Sequence, residues 1–196
     1  MRAAGEATQA RILQAARTEF ARFGIAGARV DRIADEARAN KAQLYSYFGN
    51  KEALFEAVFA RALREIVDTV PIDGADLPGY AVRLYDDYLA RPELVRLATW
   101  SRLERRPTGT LTEEPTPRYQ EKLDAIAAAQ AAGHVDPALD PADVFVTVVA
   151  LSMTWSPAST TIAASGDDSV EEHERRRQVL RTLVGRAFAP RDADGG

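Results

Sequence analysis

The chain has 196 residues, no cysteine, two histidines and a formal net charge of −4. This length allows one domain, or a small domain joined to a larger one, to bury a core without disulfides. The lack of cysteine excludes disulfides, thiolate metal sites and a cysteine nucleophile, and the net negative charge argues against a nucleic-acid binder.

The first predicted helix follows Thr8, a suitable N-cap, and ends at Gly24. Its apolar residues, between positions 12 and 23, recur at three- and four-residue steps and indicate one buried face. Two short helical patterns follow at 30–37 and 44–48. Together they predict three helices in the first fifty residues.

Asparagines stand where the third and fourth helices are predicted to begin. Asn40 can cap the third helix, and Asn50 can cap a long fourth helix with an apolar stripe over 54–67. A segment rich in proline at 71–78 then predicts a loop.

The rest of the chain is also helical in pattern. Helices are predicted at 77–89, 92–105 and 119–132, with a loop at 107–117 and a stop at Gly133.

The last two predicted helices have clear starting signals. Asp140 opens the first of them, which Ser156 disturbs, and Ser169 with Glu172 has the capping-box spacing at the start of the second. No alternating strand pattern and no repeat occurs, so we predict an all-α protein of about nine helices.

Charge is unevenly distributed along the chain. Residues 1–64 carry 11 Lys and Arg against 7 Asp and Glu, whereas residues 65–196 carry 14 against 22. A basic head on an acidic body keeps DNA binding possible for the head alone.

Residues 30–48 have the dimensions of a helix-turn-helix. The second short helix carries lysine, glutamine and tyrosine, which are side chains that reach phosphates and base edges in a major groove. Spacing alone leaves a second interpretation open, in which these are two ordinary short helices of a bundle.

Three motifs in this region resemble the N-terminal signature of TetR-family transcriptional regulators. They are the segments 30–37, 40–48 and 50–54, and residues 20–24 resemble the end of that family's first helix. The resemblance covers roughly residues 8–56. It implies an N-terminal helix-turn-helix DNA-binding domain joined by a long helix to a C-terminal dimerisation and ligand-binding domain.

The resemblance implies domains at 1–50 and 51–190, and the residues from Pro190 to the end of the chain predict a frayed tail at 191–196. It also implies a set of residues at or near DNA, which comprises Arg29, Lys41, Ala42, Gln43, Tyr45, Ser46, Tyr47 and Lys51. The chain departs from the family pattern at three of its positions. Arg29 stands where small hydroxyl residues usually cap the second helix, Arg38 replaces a turn glycine, and Ala42 replaces a glycine of the third helix.

The predicted body supplies two further sets of candidate residues. A pocket for an apolar or aromatic ligand would be lined by Tyr85, Tyr88, Trp100, Tyr119, Phe145, Met153 and Trp155. A homodimer interface would use Val148, Leu151, Val179, Leu180, Leu183, Val184 and Phe188. Aromatic and apolar residues at helical spacing also fit an ordinary core, so both sets have this second interpretation.

No catalytic motif, metal-ligand spacing or cofactor signature is found, so we predict a protein that is not an enzyme and has no cofactor. No stretch approaches the length of a membrane span, which favours a cytoplasmic protein. The predicted function is a homodimeric repressor, released from a palindromic double-stranded DNA operator by a small-molecule effector. The alternative is a helical interaction protein, or a DNA binder without ligand control.

Overall fold

The computed structural model describes the backbone of residues 2–111 and 117–190, and the side chains of residues 5–65, 69–111 and 118–190. Over this backbone it has nine α-helices, one 3₁₀ turn and no strand, so the predicted all-α class is confirmed. The tail predicted at 191–196 lies outside the described residues. None of the described helices combines the length and apolar character needed to cross a bilayer.

In chain order the helices are α1 (Arg2–Gly27), α2 (Val30–Glu36), α3 (Lys41–Phe48), α4 (Lys51–Thr69), α5 (Leu77–Ala90), α6 (Pro92–Glu104), α7 (Pro117–Ala131), α8 (Pro141–Ser152) and α9 (Val170–Phe188). They divide into two compact units. The first unit comprises Met1–Ile66 and Glu93–Leu111, and the second comprises Val67–Pro92 and Thr112–Gly196. Helix α6 therefore groups with the N-terminal helices, although it follows α5 in the chain.

The core of the first unit is aromatic at its centre. Phe20 of α1 meets Phe55 of α4 edge-to-face at 5.3 Å between ring centroids, and Phe55 stacks on Phe59 at 5.8 Å. Around these rings pack fully buried residues from each helix of the unit, namely Ile12, Ile33, Leu44, Leu54 and Leu97. Five helices thus share one apolar core, as the amphipathic patterns predict.

Helix α1 differs from its prediction at both ends. It begins at Arg2, so Thr8 lies inside the helix and the prediction that Thr8 is its N-cap is wrong. Gly24 does break the helix, with φ 70° and ψ −178°, but one more helical turn follows to Gly27. That turn is possible because Glu104 of α6 accepts the backbone N–H groups of Ile25 and Ala26, each at 3.0 Å.

The predicted N-caps of four other helices are confirmed. Asn40, Asn50, Asp140 and Ser169 each accept a backbone N–H group in the first turn of α3, α4, α8 and α9. Helix α8 ends at Ser152, ahead of the disturbance predicted at Ser156.

The second unit is built around α5. This helix packs against α8 and α9, while α7 packs against α8 and against the 3₁₀ turn Gly74–Asp76. A Cβ atom on Gly74 would lie 2.3 Å from the carbonyl oxygen of Ala125, so only glycine lets the turn approach α7 this closely. Val82 and Tyr85 of α5 form a buried cluster with Leu180 of α9.

Candidate nucleic-acid interface

Helix α3 presents nearly all of its side chains to solvent. Leu44 is fully buried and anchors the helix to the core. The exposed residues of α3 are Lys41, Ala42, Gln43, Tyr45, Ser46 and Tyr47. Tyr45 and Tyr47 are 45% and 39% exposed as residues, although burying an aromatic ring is strongly favourable. Their exposure leaves aromatic surface on this face of α3.

A capping box holds the start of α3. The Asn40 side-chain oxygen accepts the Gln43 backbone N–H at 2.8 Å, and the Gln43 side-chain oxygen accepts the Asn40 backbone N–H at 3.1 Å. The box fixes the side chain of Gln43 and leaves its amide NH₂ group as the donor that faces outward.

The two lysines of this surface already have partners in the protein. Lys41 Nζ lies 2.5 Å from Asp31 of α2, and this hydrogen bond raises the pKa of Lys41. Lys51 Nζ donates to the carbonyl oxygens of Ala26 and Ala28, each at 3.4 Å. Each ammonium has three N–H donors, so both lysines can still donate to a phosphate.

The start of α2 and the turn after it have unusual geometry. Arg29 occupies the N-cap position without a side-chain cap, and the Arg29 backbone N–H is bound instead by Glu19. In the turn Arg38 has a φ of 50°, which is the conformation that glycine adopts most easily. Two of the three replacements noted in the sequence thus lie at positions of unusual geometry, and the helix-turn-helix still forms.

Comparison with known proteins identifies this architecture. The family described as bacterial regulatory proteins, tetR family, matches residues 12–58. A second family, described as tetracyclin repressor-like, C-terminal domain, matches residues 76–186 and so covers more than half of the chain. The chain belongs to the TetR family.

Individual relatives are helix-turn-helix transcriptional regulators by name. The HTH-type transcriptional repressor SCO4008 of Streptomyces coelicolor is 41% identical over 169 residues, covering 84% of this chain and 87% of the relative. The regulator RutR of Escherichia coli is 46% identical over only 57 residues, 29% of this chain and 25% of its own length.

Solved structures show the same fold along almost the whole chain. The crystal structure of the transcriptional regulator SCO4942 from Streptomyces coelicolor is similar with a TM-score of 0.75 and 41% identity, over 92% of this chain and 98% of that chain. A TetR-family regulator from Marinobacter aquaeolei, at 21% identity, shares the fold with a TM-score of 0.71, over 97% of this chain and all of the other. This protein is accordingly a DNA-binding transcriptional regulator with a helix-turn-helix head and a helical C-terminal body.

The structure brings four of the seven predicted pocket residues into pairs. Tyr85 meets Trp155 edge-to-face at 6.0 Å, and Tyr119 meets Phe145 at 5.5 Å. Tyr88 is buried, and burial raises the pKa of its phenol.

The other two predicted pocket residues differ in placement. Met153 is half-buried at the end of α8. Trp100 lies in the first unit, where a Cβ atom added to Gly24 would meet the Trp100 ring at 3.1 Å. Trp100 therefore packs against the break in α1.

Lys122 is a buried cation that the sequence analysis did not select. Its Nζ donates to the hydroxyl oxygen of Tyr80 at 2.9 Å and to the carbonyl oxygen of Val70 at 3.3 Å, and it lies 5.7 Å from the centre of the Phe145 ring. Burial raises the pKa of Tyr80 to about 12, so this phenol is neutral. The only signal in the sequence is a lysine on a helix rich in alanine.

The predicted dimer residues fall into two groups by burial. Val148, Leu180, Val184 and Phe188 are buried inside the second unit, where their atoms contact its own core. Leu151 and Val179 are half-buried, and Leu183 is 48% exposed. A buried side chain has no surface to offer a partner, so the first group is core and only the second remains available for an interface.

One cleft of the second unit is too small for an ordinary effector. It lies between the start of α5, the turn at His134 and the end of α9, and it holds about 180 Å³. Ligand pockets usually hold about 300–1,000 Å³. None of the seven predicted pocket residues lines this cleft.

Proposed function

We propose that this protein is a homodimeric repressor that binds a palindromic operator through α3. The observation that carries the proposal is the polar and aromatic face of α3, exposed at every position except the anchored Leu44 and the half-buried Phe48. The relative SCO4008, which is a transcriptional repressor by name, supports repression as the mode of regulation. We expect the protein to act in the cytoplasm, where bacterial DNA is found.

Each exposed residue is assigned a task by its chemistry. Gln43, Tyr45 and Ser46 would read base edges, since amide and hydroxyl groups can donate and accept hydrogen bonds there. The methyl group of Ala42 would contact an apolar atom such as a thymine methyl.

A second set would hold the DNA backbone. Arg29, Lys41 and Lys51 would bind phosphates by charge, and the hydroxyl of Tyr47 would add a hydrogen bond. These contacts set the register of the helix in the groove but do not read sequence.

We propose that two copies pair through the outer faces of α8 and α9. Leu183 is 48% exposed and Val146 is 58% exposed, and both are large apolar residues on these two helices. Covering such residues in a symmetric contact would stabilise a dimer, and a two-fold dimer presents two α3 helices to successive turns of the major groove.

We propose that an apolar or aromatic effector bound in the body weakens operator binding. The half-buried Tyr119, Phe145, Met153 and Trp155 are the predicted pocket residues of the second unit that still offer surface to a ligand. Helix α6 supports a connection to the head, since it follows α5 of the second unit after one residue, while its Glu104 caps the broken end of α1 in the first unit.

Footprinting tests the operator proposal directly. DNase I protection would be measured on the DNA upstream of the protein's own gene, with the molar mass in solution measured by light scattering. We expect a dimer that protects two inverted half-sites about 10 base pairs apart. A monomer, or protein that protects no duplex, would contradict the proposal.

A DNA binder without effector control is the second candidate, because Tyr85 and Tyr88 are packed into the core and leave less surface for a ligand. A thermal-shift screen of apolar and aromatic compounds distinguishes the two. A compound that raises the melting temperature and lowers operator affinity supports effector control. A complete screen without any such compound supports the second candidate.

A further inference from the structure

We propose that Glu19 of α1 is the positioning residue for the Arg29 phosphate contact, an assignment that rests on the proposed DNA-binding function. Glu19 is 8% exposed, and one of its carboxylate oxygens, Oε1, accepts the backbone N–H of Arg29 at 2.8 Å. It thus binds, from ten residues away, the N-cap residue of a helix that has no side-chain cap.

The backbone of Arg29 is held on both sides. Its N–H is bound by Glu19, and its carbonyl oxygen accepts the N–H of Ile33 at 3.2 Å to start α2. With both peptide groups fixed, the direction of the Arg29 side chain from its Cα atom is fixed as well. Among the described residues the Arg29 guanidinium makes no hydrogen bond or ion pair, and the residue is exposed. This arrangement sets the start of the side chain, at the Cα–Cβ bond, and so removes part of the entropic cost of binding a phosphate.

Arg32 keeps Glu19 in place through hydrogen bonds, and its guanidinium makes further contacts within the protein. It donates to Glu19 Oε1 from Nε at 2.8 Å and from Nη2 at 2.5 Å, and Nη2 also donates to the carbonyl oxygen of Gly27 at 3.2 Å. Its guanidinium lies over the Phe23 ring at 4.3 Å. A buried carboxylate requires such a pair. Of the two arginines around Glu19, Arg29 is therefore the one whose guanidinium has no hydrogen bond or ion pair among the described residues.

Simple electrostatics and positioning predict opposite effects of removing this carboxylate. Neutralising Glu19 makes the basic head more positive, which on charge alone would strengthen binding to DNA. If Glu19 positions Arg29, removing its carboxylate should weaken DNA binding, because the oxygen that accepts the Arg29 N–H is lost. Glu36→Gln, at an exposed carboxylate on α2, is the matched control for charge.

The experiment measures affinity for a 20-base-pair duplex of arbitrary sequence against salt concentration, since phosphate contacts do not depend on sequence. We expect both Glu19→Leu and Arg29→Ala to weaken binding several-fold and to lower the salt slope by about one. Added to Arg29→Ala, Glu19→Leu should have no further effect. Glu19→Gln retains an oxygen for the Arg29 N–H and should keep the wild-type slope, and Glu36→Gln should not weaken binding.

Two results would overturn the assignment. One is a wild-type salt slope in Glu19→Leu while Arg29→Ala lowers the slope. The other is an equal further loss when Glu19→Leu is added to Arg29→Ala. If Glu19→Leu does not fold, amide hydrogen exchange of the wild-type protein decides, since the Arg29 N–H should be protected and rapid exchange contradicts the proposal. A wild-type protein that binds no duplex would instead contradict DNA binding itself.

Discussion

A carboxylate beside Lys41 would compete with DNA phosphate for its ammonium group. Its ammonium is bound to Asp31, and both side chains are more than half exposed to solvent. A phosphate that approaches Lys41 must displace this carboxylate or bind next to it. If Lys41 binds a phosphate, as we propose, this ion pair would weaken phosphate binding that does not depend on sequence, and Asp31 would favour specific over non-specific binding.

Removing the carboxylate of Asp31 should strengthen binding to any duplex. In Asp31→Asn the Lys41 ammonium loses its ion pair and is free for a phosphate, so we expect affinity for a non-operator duplex to rise several-fold in a fluorescence anisotropy titration. Asp35→Asn removes the same charge from the same helix, where the carboxylate acts on Lys41 only through space, and it leaves the hydrogen bond between Lys41 and Asp31 in place. An equal gain from Asp35→Asn would show that only net charge matters.

Arg38 has a backbone conformation that its side chain disfavours. Its φ of 50° lies in the left-handed region, which costs an ordinary residue about 1 kcal/mol relative to glycine. Arg38→Gly should therefore raise the free energy of unfolding by about 0.5–1 kcal/mol in urea denaturation. Arg38→Val, which is β-branched, should lower it. Equal effects of the two variants would show that the turn is not strained.

At the scale of elements, the helix starts could be predicted and the contacts between helices could not. Asn40, Asn50, Asp140 and Ser169 cap residues that lie two or three positions ahead, so a short window of sequence contains the whole signal. The break in α1 continues into another turn because of Glu104, which is 79 residues away from Ile25. No local pattern reports such a partner.

The same limit applies to the candidate sites. The exposed face of α3 follows from the spacing around Leu44, which the amphipathic pattern already places in the core. The roles of Glu19 and Lys122 follow from burial by other helices, and both residues look like ordinary surface charges in the sequence. The grouping of α6 with the first unit likewise depends on contacts with distant residues.

The break in α1 gives a test of how α6 is attached within the first unit. A Cβ atom on Gly24 would lie 2.7 Å from Glu104 Oε1 and 3.1 Å from the Trp100 ring, at a positive φ. Gly24→Ala should lower the free energy of unfolding by about 1–3 kcal/mol in chemical denaturation. At Gly27 the nearest atom to an added Cβ is Phe23 Cβ, in ordinary contact at 3.4 Å. If Gly27→Ala lowers the free energy of unfolding as much as Gly24→Ala does, the close approach of α6 to Gly24 is not the cause.

Stability of α9 should depend on acidic pH through Asp168. Its carboxylate accepts from Arg176 at 2.6 Å, and this hydrogen bond lowers the pKa of Asp168 below its ordinary value of 3.8. A lowered pKa in the folded state means that the contribution is complete above pH 3.8 and is lost as pH falls through the lowered pKa. Melting temperatures between pH 6 and pH 2 should fall less steeply for Asp168→Asn than for wild type. Asp167→Asn is the neighbouring control, and identical curves for all three proteins would exclude this role.

At the scale of the whole molecule, the charge distribution separates the N-terminal helices from the rest of the chain, as the fold does. The excess of positive charge lies in residues 1–64, which include α1–α3, and the acidic excess lies in the rest of the chain. Only the head has to approach phosphates, so a net charge of −4 is compatible with a DNA-binding protein. The net charge of the whole chain conceals the basic head, and the net charges of the two parts, counted separately, reveal it.

The central claim is that the exposed face of α3 binds DNA, and salt-dependent binding of one double variant tests it most directly. The probe is a labelled duplex from the DNA upstream of the protein's own gene, titrated with wild type, Lys41→Ala/Tyr47→Phe and the body control Arg186→Ala. We predict that the double variant binds more weakly, with a salt slope lower by about one, and that the control binds like wild type. A double variant with wild-type affinity and slope would contradict the claim.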